Sequence, residues 1–129
     1  MRLLSALILL ATPALAETPM TAEEFEALTL GRTVQWTRSG QLYATEHYLA
    51  GRQLQWAYPD EPCKTANWYP QGDAICFRYD PAADTVCWEM TRSETGFLAR
   101  YTANPPDASP VEVTFTAKPL ACDTSGAGS

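Results

Sequence analysis

Apolar and polar residues alternate along most of the chain between residues 32 and 118, in short segments separated by Gly, Pro, Asn, Asp and Ser. This period of two predicts β-strands joined by turns, arranged as an antiparallel meander. One face of such a sheet is apolar and must be buried, so we expect an all-β fold that closes as a small barrel or packs as a two-layer sandwich. The eight predicted strands span residues 32–38, 41–48, 52–58, 65–69, 73–79, 85–91, 96–103 and 111–118.

A single short helix is predicted before the first strand, over residues 21–29. Thr21 is a good N-cap, and Glu24 three positions later completes a capping box. Met20 and Phe25 have the spacing of a hydrophobic staple across the first turn. A helix of this length is not stable alone, so we expect it to pack against the sheet.

The fifth and sixth predicted strands form a hairpin in which each strand carries one cysteine. If the turn is centred on residues 81–82, Cys76 lies opposite Cys87, and the apolar residues share the other face. A disulfide is therefore predicted across the hairpin, on its outer face. Arg78 and Glu89 fall on that same face, where we expect an ion pair between them.

The chain has four cysteines, which suggests two disulfides in an exported protein. Three pairings are possible, and we favour Cys76–Cys87, which leaves Cys63–Cys122. Zinc is the competing interpretation, but there is no C-x-x-C spacing and only one histidine, so we expect no metal and no other cofactor.

The first 16 residues have the order of a secretory signal peptide: a positive charge at Arg2, a short apolar run over residues 3–11, and the small-x-small site at residues 14–16. The apolar run is too short to span a bilayer as a helix. We therefore expect export to the periplasm or the extracellular space, without stable membrane insertion after the signal is removed.

The remaining chain is long enough for one domain, which we place at residues 17–122. The residues after it, 123–129, are small and polar and are predicted to be disordered. The formal charge of the chain is −6, and its basic residues are few and scattered. This composition argues against a nucleic-acid-binding protein.

Four tryptophans occupy strand positions whose alternation points them inward. They either fill the interior of the sheet or line a ligand pocket, and periodicity does not distinguish these cases. A filled interior is the preferred interpretation. The four residues are Trp36, Trp56, Trp68 and Trp88.

No residue set in the sequence predicts catalysis. There is no G-x-S-x-G motif, and the only histidine, His47, follows Glu46 directly, so the two side chains point to opposite faces of a strand. Asp80 and Asp84 flank the predicted hairpin turn and are interpreted as turn residues instead of calcium ligands.

The run that begins at Trp68, continues through Gly72 and Asp73 to Cys76, and ends at Cys87 and Trp88 resembles small exported proteins of Gram-negative bacteria that are grouped in domain families of unknown function. The likeness covers residues 31–101. It implies a β-meander with a disulfide-bridged hairpin and implies no activity.

Our leading hypothesis is a non-enzymatic binding or interaction domain of the cell envelope, with a small apolar ligand held in the mouth of the barrel. An alternative is an acidic inhibitor or partner of a cationic envelope enzyme. A hydrolase is the least favoured, because no pair of carboxylates is distinguished by its spacing.

Overall fold

Eight antiparallel strands close into a barrel in a computed structural model of the chain, which describes residues 8–10, 18–80 and 82–122. Each strand pairs with the next along the chain, and β1 pairs with β8 to close the sheet. The predicted signal peptide lies outside the described residues except at residues 8–10, and the predicted tail lies outside them entirely. The strands are β1 (Thr33–Arg38), β2 (Gln41–Leu49), β3 (Gln53–Ala57), β4 (Lys64–Gln71), β5 (Ala74–Arg78), β6 (Val86–Arg92), β7 (Gly96–Tyr101) and β8 (Val111–Thr116).

The predicted all-β fold with one short helix is confirmed, and of the two predicted arrangements the barrel is present. Closure depends on a ladder of five residue pairs between β1 and β8, from Thr33 opposite Thr116 to Thr37 opposite Glu112. At the β7–β8 junction the strands approach so closely that a side chain at Gly96 would place its Cβ 2.1 Å from the Val113 carbonyl oxygen.

The helix α1 (Ala22–Thr29) closes one end of the barrel. Its N-cap is Thr21, whose hydroxyl accepts a hydrogen bond from the Glu24 backbone N–H at 3.1 Å. Phe25 is completely buried and inserts its ring between inward-facing rings of the barrel. It makes edge-to-face contacts with four of them: Tyr48, Trp68, Phe77 and Phe97.

Polar contacts hold the helix on this closed end. Arg52, in the turn between β2 and β3, lies 3.6 Å from a Glu26 oxygen and 3.9 Å from a Glu23 oxygen. The Met20 backbone N–H donates to the Met90 carbonyl at 2.7 Å. Exposed ion pairs contribute little each, so burial of Phe25 is the main attachment.

Both predicted disulfides are present, Cys63–Cys122 and Cys76–Cys87, with Cα separations of 5.3 and 4.0 Å. The first joins the β3–β4 connection to the C-terminal segment 117–122. This segment runs from the end of β8 across the outer faces of β1, β2 and β3, where Cys122 approaches Gln55. The bridge therefore ties the chain end to the barrel.

The predicted Arg78–Glu89 ion pair is wrong. Glu89 pairs instead with Arg100, which lies directly opposite it in the β6–β7 register. The Arg78 guanidinium lies over the Tyr69 ring on β4, 5.2 Å from its centroid. The sequence of the hairpin specifies only the pairing of its own two strands, whereas in the barrel each of these strands has a second neighbour that supplies a better-placed partner.

We predict that Phe25→Ala lowers the free energy of unfolding by about 4 kcal/mol, because it leaves a cavity where five aromatic rings meet. Urea denaturation followed by circular dichroism measures the loss. The control is Leu30→Ala, which truncates a side chain that is 51% exposed next to the same helix and should change stability by less than about 0.5 kcal/mol. Equal effects of the two substitutions would contradict the role given to Phe25.

We also predict that the double variant Cys63→Ala/Cys122→Ala is less stable by about 4 kcal/mol, because the bridge closes a loop between residues 59 positions apart and removing it restores entropy to the unfolded chain. The corresponding Cys76→Ala/Cys87→Ala variant opens a loop of only 11 positions, for which the same relation predicts about 3 kcal/mol. Urea titration of the oxidised variants provides the test. A loss below about 1 kcal/mol for the first variant would refute this account.

Candidate functional site

A pocket with a volume of about 300 Å³ opens at the end of the barrel opposite α1. This open end is formed by the β1–β2, β3–β4, β5–β6 and β7–β8 connections. Seven of the eleven lining residues are aromatic, and one is a carboxylate. The lining consists of Trp36, Arg38, Tyr43, Ala44, Glu46, Trp56, Tyr58, Tyr79, Val86, Trp88 and Tyr101.

The inward-facing positions of β1, β2, β3, β6 and β7 supply most of this lining. On β2, for example, Ala44, Glu46 and Tyr48 alternate with outward-facing residues and are all buried. Since Ala44 is nearest the open end and Tyr48 contacts Phe25 at the closed end, Glu46 forms the floor of the pocket. The same alternation places a tryptophan in the pocket from each of three strands.

One lining residue, Tyr43, reaches the pocket through a β-bulge. Trp36 lies opposite Ala44, but the next residue of β1 lies opposite Leu42, so Tyr43 is an additional residue on β2. Strict alternation would turn Tyr43 away from the interior. The bulge changes the direction of the strand locally and allows Tyr43 and Ala44 to line the same pocket.

The aromatic rings around the pocket contact one another directly. On one side Trp36 and Trp88 have their ring centroids 5.0 Å apart, and Trp88 contacts Tyr101 at 5.3 Å. On the other side Trp56 lies 5.0 Å from both Tyr58 and Tyr79. These distances are in the range of favourable ring pairs, so the walls support themselves without a ligand.

Glu46 is the only acidic residue in the pocket lining and is only 2% exposed. Its two carboxylate oxygens accept hydrogen bonds from tyrosine hydroxyls, from Tyr48 at 2.6 Å and from Tyr79 at 2.9 Å. Burial raises the pKa of Glu46 above its ordinary value of 4.5, and the two tyrosine hydrogen bonds oppose this shift. The nearby Trp36 indole also lowers this pKa, with the smallest effect of the three side chains.

The pKa values of the two tyrosines that bind Glu46 are also shifted. The pKa of Tyr48 and that of Tyr79 lie well above 10, first because burial disfavours the phenolate and second because the Glu46 charge is close. Both hydroxyls therefore keep their protons and remain donors to Glu46 across the physiological range.

None of the ion pairs formed by the described residues involves Glu46. Its hydrogen-bond partners are neutral, so when Glu46 is ionised no cation among the described residues pairs with its charge. In the same lining, the indole N–H groups of Trp56 and Trp88 are buried and have no hydrogen-bond partner among the described residues.

Two cationic side chains lie at the rim, each over an aromatic ring. The Arg38 guanidinium is 4.4 Å from the centroid of Tyr43. The Lys64 ammonium is 5.0 Å from the centroid of Trp56 and 5.6 Å from that of Tyr58. Only Arg38 of these two belongs to the pocket lining.

The structure brings together three of the four predicted tryptophans, Trp36, Trp56 and Trp88. Trp68 lies at the closed end, where it packs against Phe25 and beneath the Arg52 guanidinium. All four tryptophans are nevertheless buried in the core, each at most 7% exposed, so the three that line the pocket are packed side chains as well as lining residues.

The other candidate residues lie outside the pocket lining. His47 lies on the outer face of β2, where its Nδ1 is 2.8 Å from the Thr33 hydroxyl oxygen, on the opposite side of the strand from Glu46. Asp80 is a turn residue, as predicted: its side chain accepts from the Ala82 backbone N–H at 2.9 Å. The four cysteines are all in disulfides.

The buried Glu46 and its two tyrosines were not identified from the sequence. A signal existed in the alternation of β2, where Glu46 shares its phase with Ala44 and Tyr48. Because Tyr43 lies on the opposite face of β2, the alternation alone does not show which of the two faces is buried. The closed barrel shows that the face with Glu46 is internal.

Among the described residues there is no group of three or more His, Cys, Asp or Glu side chains arranged to hold a metal ion. Within the same ranges, no helix combines the length and the hydrophobicity needed to cross a bilayer. Comparisons with protein-family models, with curated proteins and with solved structures found no match to this chain.

We predict that Glu46→Gln gains stability relative to the wild type as pH rises above about 4.5. In the unfolded chain the carboxyl loses its proton near 4.5, whereas the folded protein holds it to a higher pH. Within that window the unfolded chain binds fewer protons, so this residue makes the folded wild type less stable as pH increases, by about 1.4 kcal/mol for each unit of pKa difference. Glutamine does not titrate and should remove this dependence.

Urea denaturation of both proteins from about pH 4 to about pH 8 measures the difference. Glu112→Gln on the exposed side of β8 is the matched control, because it removes the same charge from the surface. If the stability curves of Glu46→Gln and the wild type run parallel over this range, the assigned pKa shift is wrong.

Proposed function

We propose that this protein is a non-enzymatic binding protein of the periplasm or extracellular space, which holds a small molecule in the aromatic pocket at the open end of its barrel. The single observation that supports this most strongly is the pocket itself: about 300 Å³ of space lined by three tryptophans, four tyrosines and one buried carboxylate. A β-barrel of this size can equally be filled by side chains, so a pocket of this volume among its inward-facing residues requires an explanation.

The dimensions of the pocket suit a small ligand. At the packing density of protein interiors, about 0.74, it accommodates roughly 220 Å³ of ligand atoms. Its volume is at the lower end of the range for ligand pockets, about 300–1,000 Å³, and its composition of apolar walls with a few polar groups is typical of them.

The walls are also preorganised. They are built on hydrogen-bonded strands and contacting rings, so binding requires little ordering of the protein and loses little affinity to entropy. The two disulfides indicate an oxidising compartment. The signal-like segment at residues 1–16 and the likeness to small exported bacterial proteins support the more specific assignment to the cell envelope.

We predict that small apolar or amphipathic compounds raise the melting temperature of the wild type and change its tryptophan fluorescence, since three of its four tryptophans line the pocket. Ala44→Leu should abolish both responses, because its added carbons occupy the pocket beside Trp36. A panel of compounds with roughly 6–15 non-hydrogen atoms is appropriate for the volume.

Ala50→Leu is the matched control, as Ala50 is exposed in the β2–β3 turn at the closed end. It should bind the same compounds as the wild type. If no compound shifts the wild type, or if Ala44→Leu binds unchanged, the pocket is not a binding site. Salt-sensitive capture of an envelope enzyme by a protein that binds no compound would favour the inhibitor alternative.

A further inference from the structure

We propose that the ligand of the aromatic pocket is a small organic cation, a protonated amine or a quaternary ammonium ion, whose charge lies between the aromatic rings and compensates the Glu46 carboxylate. This inference rests on the proposed binding function and specifies its ligand class.

The first argument is the missing counter-charge at Glu46. A buried carboxylate in proteins is normally paired with a cation, because transfer of an isolated charge from water into an apolar interior is very costly. Glu46 has two tyrosine hydroxyls and no cation among the described residues. A cation that entered the pocket would supply the absent charge at its floor.

The second argument is the lining above that floor. Aromatic rings present a negative face, and a cation within about 6 Å of a ring centroid is attracted to it, most strongly to tryptophan. Three tryptophans and four tyrosines surround the space directly above Glu46. The protein's own cations already use such faces at the rim, Arg38 over Tyr43 and Lys64 over Trp56.

The third argument compares the alternatives. A neutral apolar ligand would fit the walls but make no charge interaction with Glu46. An anion would lie near the carboxylate and the negative ring faces, and its only favourable charge in the lining would be Arg38 at the rim. The net charge of −6 also favours the approach of cations over anions.

Arg38 therefore distinguishes the two charged ligand classes. If the ligand is a cation, Arg38 repels it and competes for the Tyr43 face, so removal of the guanidinium should strengthen binding. If the ligand is an anion, Arg38 is its anchor, and the same substitution should weaken binding.

The probes are three compounds of nearly the same shape and different charge: choline, its neutral isostere 3,3-dimethylbutan-1-ol, and the anion 3,3-dimethylbutanoate. Benzyltrimethylammonium, paired with neopentylbenzene as its neutral isostere, extends the series to a larger cation. Titration calorimetry and tryptophan fluorescence measure binding to the full oxidised protein. We expect at least one cation to bind at least about tenfold more tightly than its neutral isostere.

Three single substitutions locate the charge recognition. Glu46→Gln should reduce the ratio of cation to neutral affinity at least about fivefold while retaining the neutral isostere. Glu112→Gln, which removes a surface charge, should leave the ratio within about twofold of the wild type. Arg38→Gln should raise cation affinity by about threefold and lower that of the anion.

Proton release provides a second measurement on the unaltered protein. A cation that ionises Glu46 on binding should release protons at pH values between about 4.5 and the raised pKa of this group, which calorimetry in buffers of different ionisation enthalpy detects. The neutral isostere should release none. The other titratable or charged residues that face Glu46 or line the pocket are Arg38, Tyr43, Tyr48, Tyr58, Tyr79 and Tyr101.

The outcomes separate this inference from the proposed function. If the neutral or anionic isostere binds as tightly as the cation, and Ala44→Leu abolishes that binding, the pocket is a binding site and the cation inference is wrong. If no cation binds at concentrations up to about 10 mM while other compounds bind, the inference is also wrong. If no compound of any charge binds, both proposals fail together.

Discussion

The hydrogen-bonded ladder between β1 and β8 is the constraint on which the rest of this structure depends. Without it the eight strands would form an open sheet with two free edges and one exposed apolar face. With it, the inward side chains of all eight strands face a common space, and each polar group among them must find a partner inside that space. The Glu46 network and the pocket both follow from closure.

The interior of the closed barrel is covered at one end and open at the other. At the closed end α1 covers the opening, and Phe25 fills the space among four other rings. At the open end no element covers the opening within the described residues, and aromatic rings that belong to the core also line the pocket. The helix therefore covers one end of the barrel, and the candidate site lies at the other.

Burial of an acidic side chain in the barrel interior costs free energy, because the carboxyl group loses its hydration. The hydrogen bonds from Tyr48 and Tyr79 offset part of the desolvation of Glu46, and its raised pKa shows that they do not offset all of it. An apolar residue at this position would avoid the cost of desolvation, and for this reason Glu46 is central to the proposed binding function.

Much of the architecture could be predicted from the chain alone. The period of two identified eight strands, the capping signature at Thr21 placed the helix, and the position of Cys76 opposite Cys87 identified a bridge that is present. Parity then left Cys63 with Cys122, which is also correct. These features depend on short stretches of sequence or on the number of cysteines, so they can be predicted without knowing which strands pair in the barrel.

The candidate site could not be predicted in the same way. Tyr43 reaches the pocket only because a bulge interrupts the β1–β2 register, and Glu89 selects Arg100 only because β7 lies beside β6. Whether Trp56 packs in a core or lines a space depends on the volume that eight strands enclose and on how much of it one helix fills.

The sequence by itself therefore determined the strands, the helix and the sulfur bridges, because alternation, capping and cysteine number act over a few residues. Only the tertiary structure decided that the sheet closes, that one end contains a pocket, and that Glu46 lies beneath a ring of aromatic side chains. Those properties arise from contacts between residues far apart in the chain, and the shape of an enclosed volume has no counterpart in a linear pattern.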